Sequence, residues 1–344
     1  MTRYVIRRLL QAIPLLLFIS MVLFVLMRNI GDPLATMGGR RVTRSSDRER
    51  LTRQLGLDKP LYVQYFYWLI GNDWTKMDLD GDGVAETPGR MRGVLRGDFG
   101  TSLVNRGKPV LEVIWERLPN TLLLMITSEV VVILCALVVG VYSALRQYSL
   151  TDQIVTTISF FGYSLPIFFI ALLSIYIFAV NFKRWGLPYL PAVGMFDPQV
   201  GKTPSQVILH MVLPVFSLSF IYLAAYSRYI RSTMLEVLSQ DYIRTAKSKG
   251  LPRRTIIFLH ALKNAALPIV TVVGLDLPFL LAGAVVTERI FAWPGMGRLF
   301  LDHVSRADTP VVMGILMLIS IAVIVFQLIT DIMYAWLDPR IRYD

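Results

Sequence analysis

The sequence predicts an all-α polytopic membrane protein with six transmembrane helices, and three observations predict it. Hydrophobic residues make up 54% of the 344 residues, and the mean hydropathy is +0.55. Charged residues are 17%, below the roughly 25% of an average soluble domain. Mostly apolar runs of about 20 residues, the length a helix needs to cross a bilayer core, recur along the chain. A soluble fold of this size buries only about three quarters of its chain surface, so lipid serves as the second solvent. The runs do not alternate as barrel strands do over roughly ten residues.

In chain order the spans fall near 9–28, 120–144, 154–181, 206–226, 265–287 and 311–334. The first follows Arg3, Arg7 and Arg8, as a signal peptide would. Its apolar run is about 19 residues long, and Met27 to Pro33 offers no small-x-small cleavage site, so it reads as a retained anchor. Orientation comes from the Lys and Arg residues. With a cytoplasmic N-terminus, the inner segments hold 14 of the 35: Arg3, Arg7, Arg8, Arg146, eight between spans 4 and 5, Arg340 and Arg342. The two short outer loops hold Lys183, Arg184 and Lys202, then Arg289, Arg298 and Arg306. The long segment after span 1 carries 14 more against 12 acidic residues, and long segments cross largely regardless of charge. Both termini are therefore expected in the cytoplasm. Three regions follow: an anchor span at 1–30, an extracytoplasmic segment at 31–119, and a five-span core at 120–344 with a cytoplasmic loop at 227–264.

The net charge of +11 invites a nucleic-acid reading, but sorting by membrane side explains it without one. The single cysteine, Cys135, excludes an internal disulfide framework and reads as a small packing residue. No internal repeat or low-complexity segment stands out.

The loop at 227–264 exceeds what joining two spans requires. Ser239 or Asp241 can cap a short helix, Gly250 can end it, and Pro252 can open the next one at its first position. Physics alone leaves two readings open: a basic segment lying on anionic lipid, or a docking site for a cytoplasmic partner.

Within that loop, Arg244 to Gly250 has the spacing of the EAA loop of ATP-binding-cassette import permeases, with Ala246 four residues before Gly250. The wider string DYIRTAKSKGLPRRTIIFLHALKNAALPIVT at 241–271 resembles the oligopeptide and dipeptide branch of those permeases. So do LGLDKPLYVQYFYWL at 55–69, GDFGTS at 97–102, ERLPNTLLL at 116–124, TERIFAWPGMGRLF at 287–300 and LDPRIRY at 337–343. Two departures from the general motif are Arg244 where a glutamate stands, and Leu262-Lys263 where a Leu-Pro pair stands. Residues 70–94 look like an insertion relative to the branch.

The resemblance implies a permease subunit of an importer in a bacterial or archaeal cell membrane, moving di- or oligopeptides inward. Implied partners are a second homologous permease, two ATPase subunits and an extracytoplasmic substrate-binding protein. ATP would be bound by the ATPases, with no cofactor intrinsic to this chain. Tyr242, Arg244, Thr245, Ala246, Lys249, Gly250 and Leu251 would form the coupling contact with an ATPase. Related permeases also serve nickel, glutathione or oligosaccharides. A membrane scaffold or insertion factor that binds cytosolic proteins is a different class, and an intramembrane enzyme is a third.

Local chemistry argues against the enzyme. Gly201-Lys202-Thr203 is the only fragment of a phosphate-binding loop, and Phe196 occupies its first glycine position. His210, His260 and His303 lack metal-ligand spacing and read as surface or interfacial residues. No serine, histidine and carboxylate constellation suggests a hydrolase. Asp78, Asp80, Asp82 and Glu86 alternate as at the start of a calcium loop, but position 12 is Gly89, which excludes an EF-hand. A solvated turn and a calcium-stabilised outer loop both remain. Ionisable residues inside spans are functional candidates. They are Glu129, expected to pair with a neighbouring helix, Asp331 near the inner interface, and Asp276 in mid-span, either a structural contact or a residue of the translocation path.

Overall fold

A computed structural model describes residues 2–30, 49–50, 52–53, 56–78, 84–105, 107–282 and 284–337. The described chain is mostly helical, with one two-residue strand pair. Among the described residues, five helical stretches are long and apolar enough to cross a membrane.

Helix α1 is Thr2–Ile30 and α2 is Leu61–Ile70. A two-residue ladder pairs β1 (Lys76–Met77) with β2 (Thr87–Pro88), antiparallel. Then come α3 (Val110–Trp115), α4 (Leu118–Leu145) and α5 (Leu150–Ser164). Helix α6 (Ile167–Ser174) runs on to Arg184, and α7 is Pro204–Leu238. The remaining helices are α8 (Asp241–Ser248), α9 (Lys263–Ala282), α10 (Val285–Ile290), α11 (Met296–Val304) and α12 (Thr309–Leu337).

Three sequence boundaries move. The run at 154–181 is not one helix. Leu165 is extended (φ −86°, ψ 134°), because the ring of Pro166 disfavours helical backbone in the residue before it. The run at 206–226 begins at the Thr203 cap, whose hydroxyl accepts from the Gln206 N–H at 3.4 Å, and Pro204 fills the first turn. It continues well past the apolar window to Leu238, so much of the loop at 227–264 is this helix. The run at 265–287 ends as α9 at Ala282, and Ala284 (φ −77°, ψ 69°) turns the chain into the separate α10.

The chain forms two compact units. The first comprises Met1–Val5, Asn120–Arg298 and Val323–Asp344. Its largest core joins Val132 and Ala136 of α4, Tyr226, Ile230 and Met234 of α7, Ile243 and Ala246 of α8, and Ala265 and Ile269 of α9. The second unit comprises Ile6–Pro119 and Leu299–Ala322. Its core places Trp68 and Leu69 of α2 against Met313 and Met317 of α12, with Phe24 of α1 at its edge.

In the second unit, Asn72 closes the segment at 70–94. Its N–H donates to Met91 O at 2.8 Å, and its Oδ1 accepts from the Met91 N–H at 2.9 Å. Asp80 and Asp82 of the carboxylate series lie outside the described residues. Also in this unit, Asp308 is buried and accepts from Ser102 Oγ at 2.5 Å and from the N–H groups of Leu103 and Val104, both at 3.1 Å. His303 Nδ1 lies 2.9 Å from the same carboxylate. Burial alone would raise the Asp308 carboxyl. The bonds from His303, Ser102, Leu103 and Val104 hold it below the usual carboxylate range instead.

That cluster corrects the surface reading of the histidines. His303 is buried, and so is His210, whose Nδ1 lies 2.8 Å from Gln206 O one turn back. Serine, histidine and carboxylate do meet here. Ser102 donates to Asp308 rather than to the ring, so the histidine does not address the hydroxyl as the base of a Ser–His pair does. Cys135 is exposed on α4 rather than packed.

Candidate coupling site

Helix α8 starts abruptly after α7. Ser239 does not cap it, because its hydroxyl turns back to Glu236 O at 2.7 Å and closes α7. Nor is the cap Asp241, which lies inside the first turn. Gln240, extended at φ −70° and ψ 149°, holds the cap position without a side-chain bond. Asp241 in the first turn and Lys247 in the last suit the helix dipole. The exposed Asp241–Arg244 pair, at 3.6 Å, adds little in open solvent.

The helix ends by a defined device. The Gly250 N–H donates to Lys247 O at 3.0 Å, and the Leu251 N–H donates to Ala246 O at 3.3 Å. These two bonds form a Schellman motif, which needs a left-handed residue after the cap. Gly250 supplies it at φ +74°. Pro252 then stands just before the next helix, at φ −58° and ψ 141°, rather than in its first turn. Arg253–Thr255 and a wide π-helical stretch, Ile256–Leu262, lead without a break into α9.

The eight residues of α8 present two faces. Ile243 is fully buried and Ala246 is 6% exposed, both in the core with α4, α7 and the approach to α9. Burying an isoleucine stabilises by about 1.5–3 kcal/mol, so Ile243 keys the helix to its own chain. Tyr242, Arg244, Thr245, Lys249, Gly250 and Leu251 are exposed. The structure thus gathers the sequence-marked residues on α8 and the turn that closes it, and turns Ala246 alone inward.

A partly buried ion pair braces α5 to α7. Arg231 Nε and Nη2 donate to the two Asp152 oxygens at 2.7 and 2.8 Å. Asp152 also accepts from Ser143 of α4 and from the Tyr148 N–H, and its own N–H donates to the Ser149 cap at 3.3 Å. The Arg231 hydrogen bonds hold the Asp152 carboxyl well below the usual carboxylate range, against the opposing effect of burial. Sequence reading passed over this pair, because the partners are 79 residues apart and each is an ordinary interfacial charge when taken alone.

The intramembrane carboxylates are engaged within the chain. Tyr226 on α7 donates to Asp276 Oδ2 at 2.7 Å and lies 3.2 Å from Glu129 Oε1. Glu129 thus has the helix partner expected of it. Asp276 is half-buried against the same tyrosine. Asp331 accepts from Tyr4 at 2.7 Å.

Past α9, Glu288 is fully buried beneath the loop Trp293 to Gly297. It accepts from Thr121 Oγ1 at 2.8 Å and from the Arg298 N–H at 2.9 Å. A Cβ at Gly295 would come within 2.3 Å of Glu288 Oε1, so only glycine lets the loop pass over the carboxyl. Burial pushes that carboxyl up.

Residues 136–343 match the family described as binding-protein-dependent transport system inner membrane component, and residues 1–125 match the N-terminal part of that family. An oligopeptide transport system permease protein of Bacillus subtilis, AppB, is 41% identical over 344 residues, covering 100% of both chains. The dipeptide transport system permease protein DppB of Escherichia coli is 35% identical, covering 100% of this chain and 99% of its own. The glutathione transport system permease protein GsiC of Salmonella choleraesuis is 35% identical over all of both chains. Such permeases work with ATPase and substrate-binding partners and carry no catalytic site of their own. The chain belongs to the inner-membrane permease family of binding-protein-dependent ATP-binding-cassette importers.

Proposed function

We propose that this permease conducts di- and oligopeptides into the cell, paired with a second homologous permease, two ATPase subunits and an extracytoplasmic binding protein. The full-length similarity to oligopeptide and dipeptide permeases supports the cargo. The observation that carries the mechanism is α8, keyed inward by Ile243 and Ala246 and offering Tyr242, Arg244, Thr245 and Lys249 outward. An ATPase that grips the outer face moves α8, and the continuous backbone from Pro252 into α9 passes the motion to that span. Reconstituting the chain with the products of its neighbouring genes and measuring ATP-dependent uptake of labelled peptides tests the proposal. Absence of peptide uptake by an assembled complex that hydrolyses ATP would sink it.

The full-length glutathione relative favours a second cargo reading. Competition of glutathione against dipeptide uptake separates the two. We also place Asp276 on the translocation path, where a carboxylate favours cationic cargo. Asp276→Asn then reduces uptake of lysine-containing peptides more than of neutral ones, and equal loss of both counts against it. The carboxylate series Asp78, Asp80, Asp82 and Glu86 is proposed to bind calcium. Protease resistance of residues 70–94 that does not change with calcium removes that idea.

A further inference from the structure

Glu129 on α4, Tyr226 on α7 and Asp276 on α9 meet within the spans. Tyr226 and Glu129 are 3% and 6% exposed. Tyr222, one turn back on α7, sets its ring 6.4 Å from that of Tyr226. No Lys, Arg or His among the described residues pairs with either carboxyl or acts on Glu129, Tyr226 or Tyr222. On α12, Thr330 rather than a charge faces the α9 backbone at Gly274. Three acidic oxygen groups therefore meet with no cation among the described residues to balance them.

The distances give a proton count. A phenol has one proton and can donate it to one acceptor. The 2.7 Å contact to Asp276 is a full-strength O–H···O length, so the phenol proton is committed there. The 3.2 Å contact to Glu129 then lacks a proton, unless the carboxyl brings its own. An ionised Glu129 would instead set a lone pair against the phenol oxygen and bury a negative charge beside Asp276.

We propose that Tyr226 is a positioning residue for transport, joining Glu129 to Asp276 through one additional proton carried by Glu129. The chain is then Glu129 O–H to Tyr226 O–H to an Asp276 carboxyl oxygen. It ties α9, the span that follows the coupling helix, to α4 and α7. Tyr226 is five residues before Arg231 on α7, about 7.5 Å along the axis at 1.5 Å per residue. The joint therefore lies just inside the brace that fixes α7 to α5. Motion of α9 must break the Tyr226–Asp276 bond first, so the joint sets how firmly ATPase motion and span motion are linked.

The proposal rests on the permease reading for its consequence, but the proton is tested without transport. The assembled importer is purified in lipid discs. Infrared spectra in light and heavy water are compared between the wild type and Glu129→Gln. A protonated-carboxyl carbonyl band that shifts in heavy water and disappears in Glu129→Gln is expected at neutral pH. Absence of a Glu129-dependent band overturns the proposal, whatever the complex transports. Two variants then test the joint. Tyr226→Phe is expected to lower peptide transported per ATP about fivefold, the equivalent of one lost hydrogen bond. Glu129→Gln, whose amide can donate to the phenol oxygen, is expected to stay within about twofold of wild type on the same scale, while Glu129→Ala falls with Tyr226→Phe. Failure of Glu129→Gln to the level of Glu129→Ala overturns the proton chain, even if Tyr226→Phe fails to assemble. Loss of peptide uptake by the wild-type complex, with the infrared band present, would strike the cargo reading and leave the joint intact.

Discussion

At the scale of single residues, Gly250 is where a small change has a large expected effect. Its backbone sits at φ +74°, and a Cβ there meets nothing within 4 Å. The obstacle to substitution is conformational strain alone. Left-handed backbone costs an L-residue roughly 1–2 kcal/mol, and asparagine tolerates it better than most. Gly250→Val is therefore expected to cut coupled uptake about tenfold or more, while insertion and pairing with the second permease persist. Gly250→Asn is expected to retain most uptake. Equal activity of the two variants would show that the turn plays no part in coupling. This glycine was legible in the sequence, because a Gly followed by Leu-Pro is a helix stop. Neither the Glu129–Tyr226–Asp276 contact nor the Thr121–Glu288 bond was legible. Each joins helices far apart in the chain, and no local pattern names a partner 97 or 167 residues away. The only local trace of Glu288 was the pair of glycines at 295 and 297, which mark a close approach without saying to what.

At the scale of elements, five spans were legible because lipid demands about 20 apolar residues. Their ends were less so. Helix α7 outruns its apolar window, since hydropathy marks the bilayer and not the end of backbone hydrogen bonding. The turn at Leu165–Pro166 interrupts a run that composition treats as uniform. The inward placement of Ala246 also needed the structure, and it separates two effects that a docking model would merge. Tyr242→Ala removes an exposed ring and is expected to weaken ATPase co-purification with an unchanged melting temperature. Ala246→Asp forces a charge into the core shared with Ile243, and is expected to lower both. A lowered melting temperature for Tyr242→Ala, or an unchanged one for Ala246→Asp, would contradict this division of the helix. The brace beside it makes a matching prediction. Removing Arg231 leaves the buried Asp152 carboxylate unpaired, at a cost of about 3 kcal/mol. Arg231→Met with Asp152→Leu removes both charges and is expected to recover much of that loss. No recovery in the double variant would mean that the arginine acts through something other than the carboxylate.

At the scale of the whole molecule, three carboxyls outside the spans give stability opposite dependences on pH. Asp152 and Asp308 have folded values below the ordinary one. Their contribution is fully present above about pH 3.9, the unfolded value, and is lost as pH falls toward the depressed folded values. Glu288 has a folded value above the ordinary one. Between about pH 4.3 and that raised value the folded state holds more protons than the unfolded chain, so stability declines as pH rises through this window. Acidifying from the raised Glu288 value toward about pH 4.3 is therefore expected to raise the melting temperature modestly, as Glu288 takes up its proton beneath the Trp293–Gly297 loop. Below about pH 4 the melting temperature should then fall, as the Asp152 and Asp308 networks are protonated. Glu288→Gln keeps the size of the side chain and cannot ionise, so it is expected to reduce the rise on acidification, leaving the share of the buried Glu129 and the acid limb in place. Asp308→Asn is expected to remove part of the acid limb without changing the rise. Thermal unfolding of the purified complex across this range, in a fixed lipid and salt, measures both limbs. A rising limb undiminished in Glu288→Gln would assign it wholly to other groups, and Glu288 would then be a neutral packing element of the outer loop.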